Sequence, residues 1–110
     1  MFRIAICDDE PLICSQIENI ILNYAGENNL EIETQVYATG EELSKFLDYG
    51  ENFDLFFLDI EMRRTSGIEI GKKIRGEMDN QLVQIVYISE NDNHCCELFE
   101  IRPMHFLHKP

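Results

Sequence analysis

A chain of 110 residues is sized for one domain, residues 1–110, with no room for a second. At 45% hydrophobic and 10% aromatic it can bury a core, which excludes a disordered composition. Acids outnumber bases by 21 to 9, a formal charge of −12, which argues against direct contact with nucleic acid or an anionic membrane surface and suits a cation or a basic partner.

The segment Phe2–Cys7, FRIAIC, reads as a first strand. Asp8, Asp9 and Glu10 follow at once. Adjacent carboxylates at the end of a buried strand repel each other and lose hydration, so something positive is needed there. Pro11 suits the first turn of a helix. Ile13, Ile17, Ile20, Ile21 and Tyr24 recur at helical spacing, and Gly26 with Asn28-Asn29 is the expected stop. Residues 30–37 form a weaker strand. Thr39, with Glu42 three residues on, is a capping box, and Leu43, Phe46 and Leu47 give the helix behind it an inner face. Gly50 lies beyond its end.

Residues 53–60, FDLFFLDI, are apolar on both faces, as in a central parallel strand covered on two sides. Ser66 and Glu69 make a second capping box, followed by Ile70, Ile74 and Met78 at helical spacing. Residues 82–89 are another two-sided strand. Residues 91–101 predict a short helix carrying Cys95, Leu98 and Phe99, and 104–110 a fifth strand. Cys7, Cys14, Cys95 and Cys96 match no zinc spacing and are expected to be reduced packing residues. No apolar run approaches membrane-spanning length, and the start is too short for a signal peptide, so the expected compartment is the cytoplasm.

Strict alternation, βαβαβαβαβ, predicts an α/β fold: a doubly wound, five-stranded parallel sheet with helices on both faces and right-handed crossovers. Sites in such sheets form beyond the carboxyl ends of the strands. Those ends carry Asp8 and Asp9, then Asp59, Ser89 and Lys109. Singly, each has an ordinary explanation as a cap, a turn residue or a solvated lysine. Together they describe a phosphoryl-transfer site. Mg²⁺ takes oxygen ligands and would neutralise the acids. A carboxylate there can act as nucleophile, Lys109 can pair with Asp59 or with a phosphoryl oxygen, and the Ser89 hydroxyl can meet another such oxygen.

The motifs CDDEP, FFLDIEM with SGIEIGKKIR, IVYIS and FLHKP resemble the receiver domain of two-component response regulators over nearly the whole chain. The stretch FEIRPMHFLHKP is most similar to receivers of the LytR/AgrA type, which precede a LytTR DNA-binding domain. The resemblance implies a CheY-like (flavodoxin-like) fold and phosphotransfer from a sensor histidine kinase. It makes Asp59 the phosphoacceptor, and Asp8, Asp9, Asp59 and the backbone carbonyl of Glu61 the Mg²⁺ site. It makes Ser89 the switch hydroxyl, Lys109 the family's lysine and Phe106 the reorienting aromatic. Phe106 has no phenol hydroxyl, so a switch there is a packing change. Glu61 and Asn91 occupy positions that tune dephosphorylation in the family, which predicts an altered phosphoryl lifetime. Arg63-Arg64-Thr65 gives the loop after Asp59 positive charge, read as a solvated loop in preference to a donor-attracting one.

The sequence stops at Lys109-Pro110, before the last helix of the family fold, so a truncated receiver without its DNA-binding effector domain is expected. Uncovered apolar sheet surface favours a homodimer or larger assembly. Direct contact with nucleic acid or membrane is not expected. No separate enzymatic activity is expected beyond self-phosphorylation and slow self-dephosphorylation. Two other readings stand beside this one. A small-molecule phosphohydrolase forming an aspartyl phosphate would use Glu61 as general acid/base, though 110 residues hold no covering cap insertion. A degenerate receiver would act only as a protein-binding module, against which the full set of site residues speaks.

Overall fold

A computed structural model describes residues 1–62, 65–90 and 101–109. Most of the expected helix at 91–101 lies outside these residues, with Asn91, Cys95, Cys96, Leu98 and Phe99; so do Arg63, Arg64 and Pro110. Five strands are present, β1 (Phe2–Cys7), β2 (Ile32–Tyr37), β3 (Leu55–Asp59), β4 (Gln84–Ser89) and β5 (His105–His108). The described helices are α1 (Pro11–Glu27), α2 (Gly40–Asp48) and α3 (Gly67–Lys72), the last prolonged by a π-helical turn, Lys73–Glu77. All neighbouring strands run parallel, in the order β2-β1-β3-β4-β5. The chain therefore reverses its travel across the sheet at β1, and a crevice opens between the carboxyl ends of β1 and β3.

The two-residue strand period sorts the apolar side chains onto two faces. Ala5, Cys7, Phe56, Leu58, Ile85 and Tyr87 join Leu43 and Leu47 of α2 and Ile68 and Ile70 of α3 in the larger core. Ile4 and Ile6 point the other way, onto Cys14, Ile17 and Ile21 of α1. Coverage of this second face is partial. Leu55 and Phe57 are only half-buried, and Ile20 and Tyr24, expected on the inner face of α1, are 69% and 59% exposed. α1 packs on β1 and β2, and its apolar stripe extends past the residues buried there. Phe46 is likewise peripheral, its ring 5.5 Å from that of Tyr37.

Helix starts follow the capping chemistry. Thr39 Oγ accepts from the Glu42 amide at 3.1 Å, and Ser66 Oγ from the Glu69 amide at 3.3 Å. Glu42 and Glu69 stand in the first turns, where a negative charge meets the positive end of the helix. β2, β3 and β5 are shorter than expected, beginning at Ile32, Leu55 and His105, and three other boundaries also depart from expectation. α1 runs on through Gly26 to Glu27, and the left-handed turn falls at Asn29, with φ 53°. β4 begins at Gln84 and leaves Leu82 exposed. The helix after Ser66 widens into the π turn, which buries two successive residues, Ile74 and Arg75. The Arg75 guanidinium donates to the carbonyls of Ile101 and Val83, each at 2.7 Å, joining the entries to β4 and β5.

Candidate functional site

β1 and β3 deliver Asp8 and Asp59 to the crevice, because Asp8 directly follows β1 and Asp59 is the last residue of β3, each behind an apolar run. Both are 1% exposed. β5 delivers Lys109, whose amide donates to the Ser89 carbonyl at 2.8 Å and so continues the β4–β5 pairing one step past the strand. The Lys109 ammonium lies 3.1 Å from Asp8 Oδ2, 3.3 Å from Asp59 Oδ2 and 3.1 Å from Glu10 Oε1. It is the positive partner that the adjacent acids require. A single cation does not balance them. The carboxylate oxygens of Asp8, Asp9 and Glu10 lie within 4.8 Å of one another. Asp59 stands outside that trio and joins it through Lys109.

Local hydrogen bonds hold each carboxylate. Asp8 Oδ1 accepts from the Glu10 amide at 2.8 Å, and Asp59 Oδ1 from the Glu61 amide at 3.1 Å. Asp8 Oδ2 meets Lys109 as an ion pair and is the other buried oxygen of that carboxylate. Among the described residues the clustered carboxylate oxygens thus outnumber the cations beside them, a donor set that fits a hard divalent ion with oxygen ligands. Asp8 and Asp9 would hold it, with Glu10 and Asp59 in reach of the same crevice. The described contacts of Glu61 are those of its amide and its carboxylate; its carbonyl, the expected ligand, makes none among them.

The electrostatics follow from burial. The Asp59 carboxyl is pushed up to about 7, first by desolvation and then by the Asp8 charge, against the opposing pull of the Glu61 amide and Lys109. For Lys109, burial opposes the charged form, but the hydrogen bonds to Asp8 and Glu10 and the charge of Asp59 outweigh it and raise its pKa. Lys109 thus stays an ammonium while Asp59 holds a titratable proton. Beside them is a cavity of about 140 Å³ lined by Glu10, Asp59, Glu61, Glu90 and Lys109. That volume admits a group of phosphoryl size next to Asp59.

The five residues at strand ends thus converge unequally. Lys109 touches both Asp8 and Asp59, and Asp9 is half-buried beside Asp8. Ser89 is fully buried, and its hydroxyl donates to Glu61 Oε1 at 2.5 Å. Phe106 pairs with Tyr87 across β4–β5 and packs, half-buried, on the larger core. The strand-end pattern did not assign roles to Glu10 as a partner of Lys109 or to the Glu61 side chain as a partner of Ser89. Glu10 was signalled only by its adjacency to the acid pair. The Glu61 contact spans 28 residues and has no local signature. The two described cysteines, Cys7 and Cys14, are free and buried, as expected. No helix among the described residues is long and apolar enough to cross a membrane.

Known proteins share this arrangement. The chain is 29% identical over 105 residues to the sensory transduction protein LytR of Staphylococcus haemolyticus, covering 96% of this chain and 38% of that protein. It is 28% identical over 108 residues to the sensory transduction protein LytT of Oceanobacillus iheyensis, covering 98% of this chain and 42% of that one. The chain therefore spans about two fifths of the length of these curated relatives. Among solved structures, the response regulator TrrA of Thermotoga maritima, in complex with Mg²⁺-BeF, superposes with a TM-score of 0.80 at 25% identity, over 100% of this chain and 88% of that chain. The response regulatory domain of mrkE from Klebsiella pneumoniae superposes with a TM-score of 0.81 at 24% identity, over 99% and 84%. The family model for the response regulator receiver domain matches residues 4–110. With the sheet order, the crevice and these matches in agreement, the chain belongs to the receiver domain family of two-component response regulators, and within it is related to LytR-type regulators.

Proposed function

We propose that Asp59 accepts a phosphoryl group from a sensor histidine kinase, with Mg²⁺ held by Asp8 and Asp9, and that this switches an output surface. One observation carries the reading: a single buried ammonium, Lys109, bridges Asp8 and Asp59 beside a cavity that admits a phosphoryl group. In its ionised form an Asp59 carboxylate oxygen attacks phosphorus, forming an acyl phosphate as the donor's phosphorus–nitrogen bond breaks. Lys109 and the Ser89 hydroxyl receive equatorial phosphoryl oxygens, and the cation supplies charge neutralisation there. Movement of Ser89, with repacking of Phe106, transmits the change. The Mg²⁺-BeF complex of TrrA supports this use of the cation.

In the whole protein this domain works in the cytoplasm ahead of a LytTR-type DNA-binding domain, and DNA contact belongs to that second domain. The greater length of LytR and LytT supports this. We also assign self-association to the thinly covered face, where Phe2, Ile20, Tyr24, Leu30 and Leu55 line an apolar groove of about 530 Å³.

The test is intact mass after incubation with acetyl phosphate and Mg²⁺. One added phosphoryl group, absent in Asp59→Asn and absent with EDTA, is the expected result. A folded protein that gains no adduct rejects the phosphoacceptor role.

A further inference from the structure

Ser89 is expected to give its hydroxyl to a phosphoryl oxygen, yet that hydroxyl is already engaged. Its Oγ donates to Glu61 Oε1 at 2.5 Å. A serine hydroxyl has one proton, so it cannot donate to the Glu61 carboxylate and to an incoming oxygen at once. The acceptor is ionic, which makes this a strong tether for a side chain that is otherwise fully buried. Glu61 is itself tied to the phosphoacceptor, since its amide donates to Asp59 Oδ1 at 3.1 Å. The same residue also lines the cavity beside Asp59. One residue thus grips the phosphoacceptor through its backbone and the hydroxyl through its side chain, with its negative charge facing the space an anionic group must enter.

We propose that the Glu61 carboxylate is a resting-state tether for Ser89, occupying its hydroxyl as an internal stand-in for a phosphoryl oxygen, so that a bound phosphoryl group must displace Glu61 before Ser89 can engage it. Glu61 is then a positioning residue that acts through Ser89. The inference rests on the phosphoacceptor reading of Asp59. It adds that the threshold for switching is set by a competition between two anions for one proton donor.

Two measurements on the same four proteins decide it: wild type, Glu61→Ala, Ser89→Ala and the double variant. The first is urea unfolding in EDTA, which reads the tether without metal or phosphoryl mimic. A coupled pair changes the unfolding equilibrium non-additively, by about tenfold for a hydrogen bond to a charged group. Additive effects would overturn the tether. The second is binding of beryllofluoride with Mg²⁺, followed by ¹⁹F NMR. Glu61→Ala is expected to tighten binding by about tenfold when Ser89 is present, and by much less in the Ser89→Ala background. The part that survives in that background is charge removal alone. Glu61→Gln, which keeps an acceptor for the hydroxyl, is expected to fall between wild type and Glu61→Ala. Equal tightening in both backgrounds would overturn the competition. If wild type binds no beryllofluoride, the phosphoacceptor reading fails and the competition with it, while the metal-free cycle still decides whether Glu61 holds Ser89.

Discussion

Lys109 shows how one side chain reconciles a charge problem. Asp8 and Asp59 come from different strands, and each is buried because the strand it ends is buried. With Lys109 between them they tolerate each other; without it, either one carboxyl must hold a proton or two desolvated anions face each other. Lys109→Met is therefore expected to lower stability by about 3 kcal/mol in urea unfolding at neutral pH, the usual order for removing one partner of a buried ionic group. Asp59 gives a pH signature. Its ordinary 3.8 rises to about 7 in the fold, so the folded chain holds a proton that the unfolded chain has lost. A raised acid contributes stability fully at pH values below 3.8 and loses it as pH climbs through about 7. Asp59→Asn, which has no proton to lose, should gain on wild type over that interval in EDTA and hold a constant advantage above it. A Tm difference flat across the interval would show that the Asp59 pKa is not raised.

At the scale of elements, the site depends on how closely α3 approaches the end of β3. The Gly67 amide donates to the Ile60 carbonyl at 3.1 Å, and a Cβ at Gly67 would collide with the Asp59 carbonyl oxygen. Backbone lines that contact, so the added carbon cannot be accommodated by a rotamer change. Gly67→Ala is expected to cost about 2 kcal/mol and to weaken Mg²⁺-dependent phosphorylation by displacing Asp59. Gly26 is the internal comparison. It lies within α1, and an added Cβ there meets nothing within 4 Å. Gly26→Ala is expected to stabilise by up to about 1 kcal/mol, through helix propensity and a less flexible unfolded chain. Urea midpoints of the two variants should move in opposite directions.

For the whole molecule, the sheet is covered unequally. The face under α2 and α3 carries the larger core, while the α1 face keeps an apolar groove open along Phe2, Ile20, Tyr24 and Leu55. Burial of such a surface between copies is favourable in proportion to its area. Sedimentation velocity at micromolar concentration is expected to show concentration-dependent association, reduced by Ile20→Glu. A chain that stays monomeric throughout rejects that assignment. The strong negative charge acts against association at low ionic strength, so added salt should promote it.

Much of this was legible in the sequence. β1 keeps its expected bounds because its apolar run is bracketed by Met1 and the acids. The helix starts at Thr39 and Ser66 follow from capping spacing, which is a local property. Alternation of elements implied a parallel sheet, and the sheet in turn placed Asp8, Asp59, Ser89 and Lys109 at one edge. These features depend on nearest neighbours and on periodicity, which a linear chain displays. Tertiary structure alone decided the rest. It exposed Ile20 and Tyr24, because helical spacing records which residues are apolar and not how wide a surface awaits them. It opened the end of α3 into a π turn, because Arg75 finds carbonyls on two distant segments. It also set Glu10 on Lys109 and Glu61 on Ser89, pairings between residues 99 and 28 positions apart whose partners only the packed sheet brings within hydrogen-bonding distance.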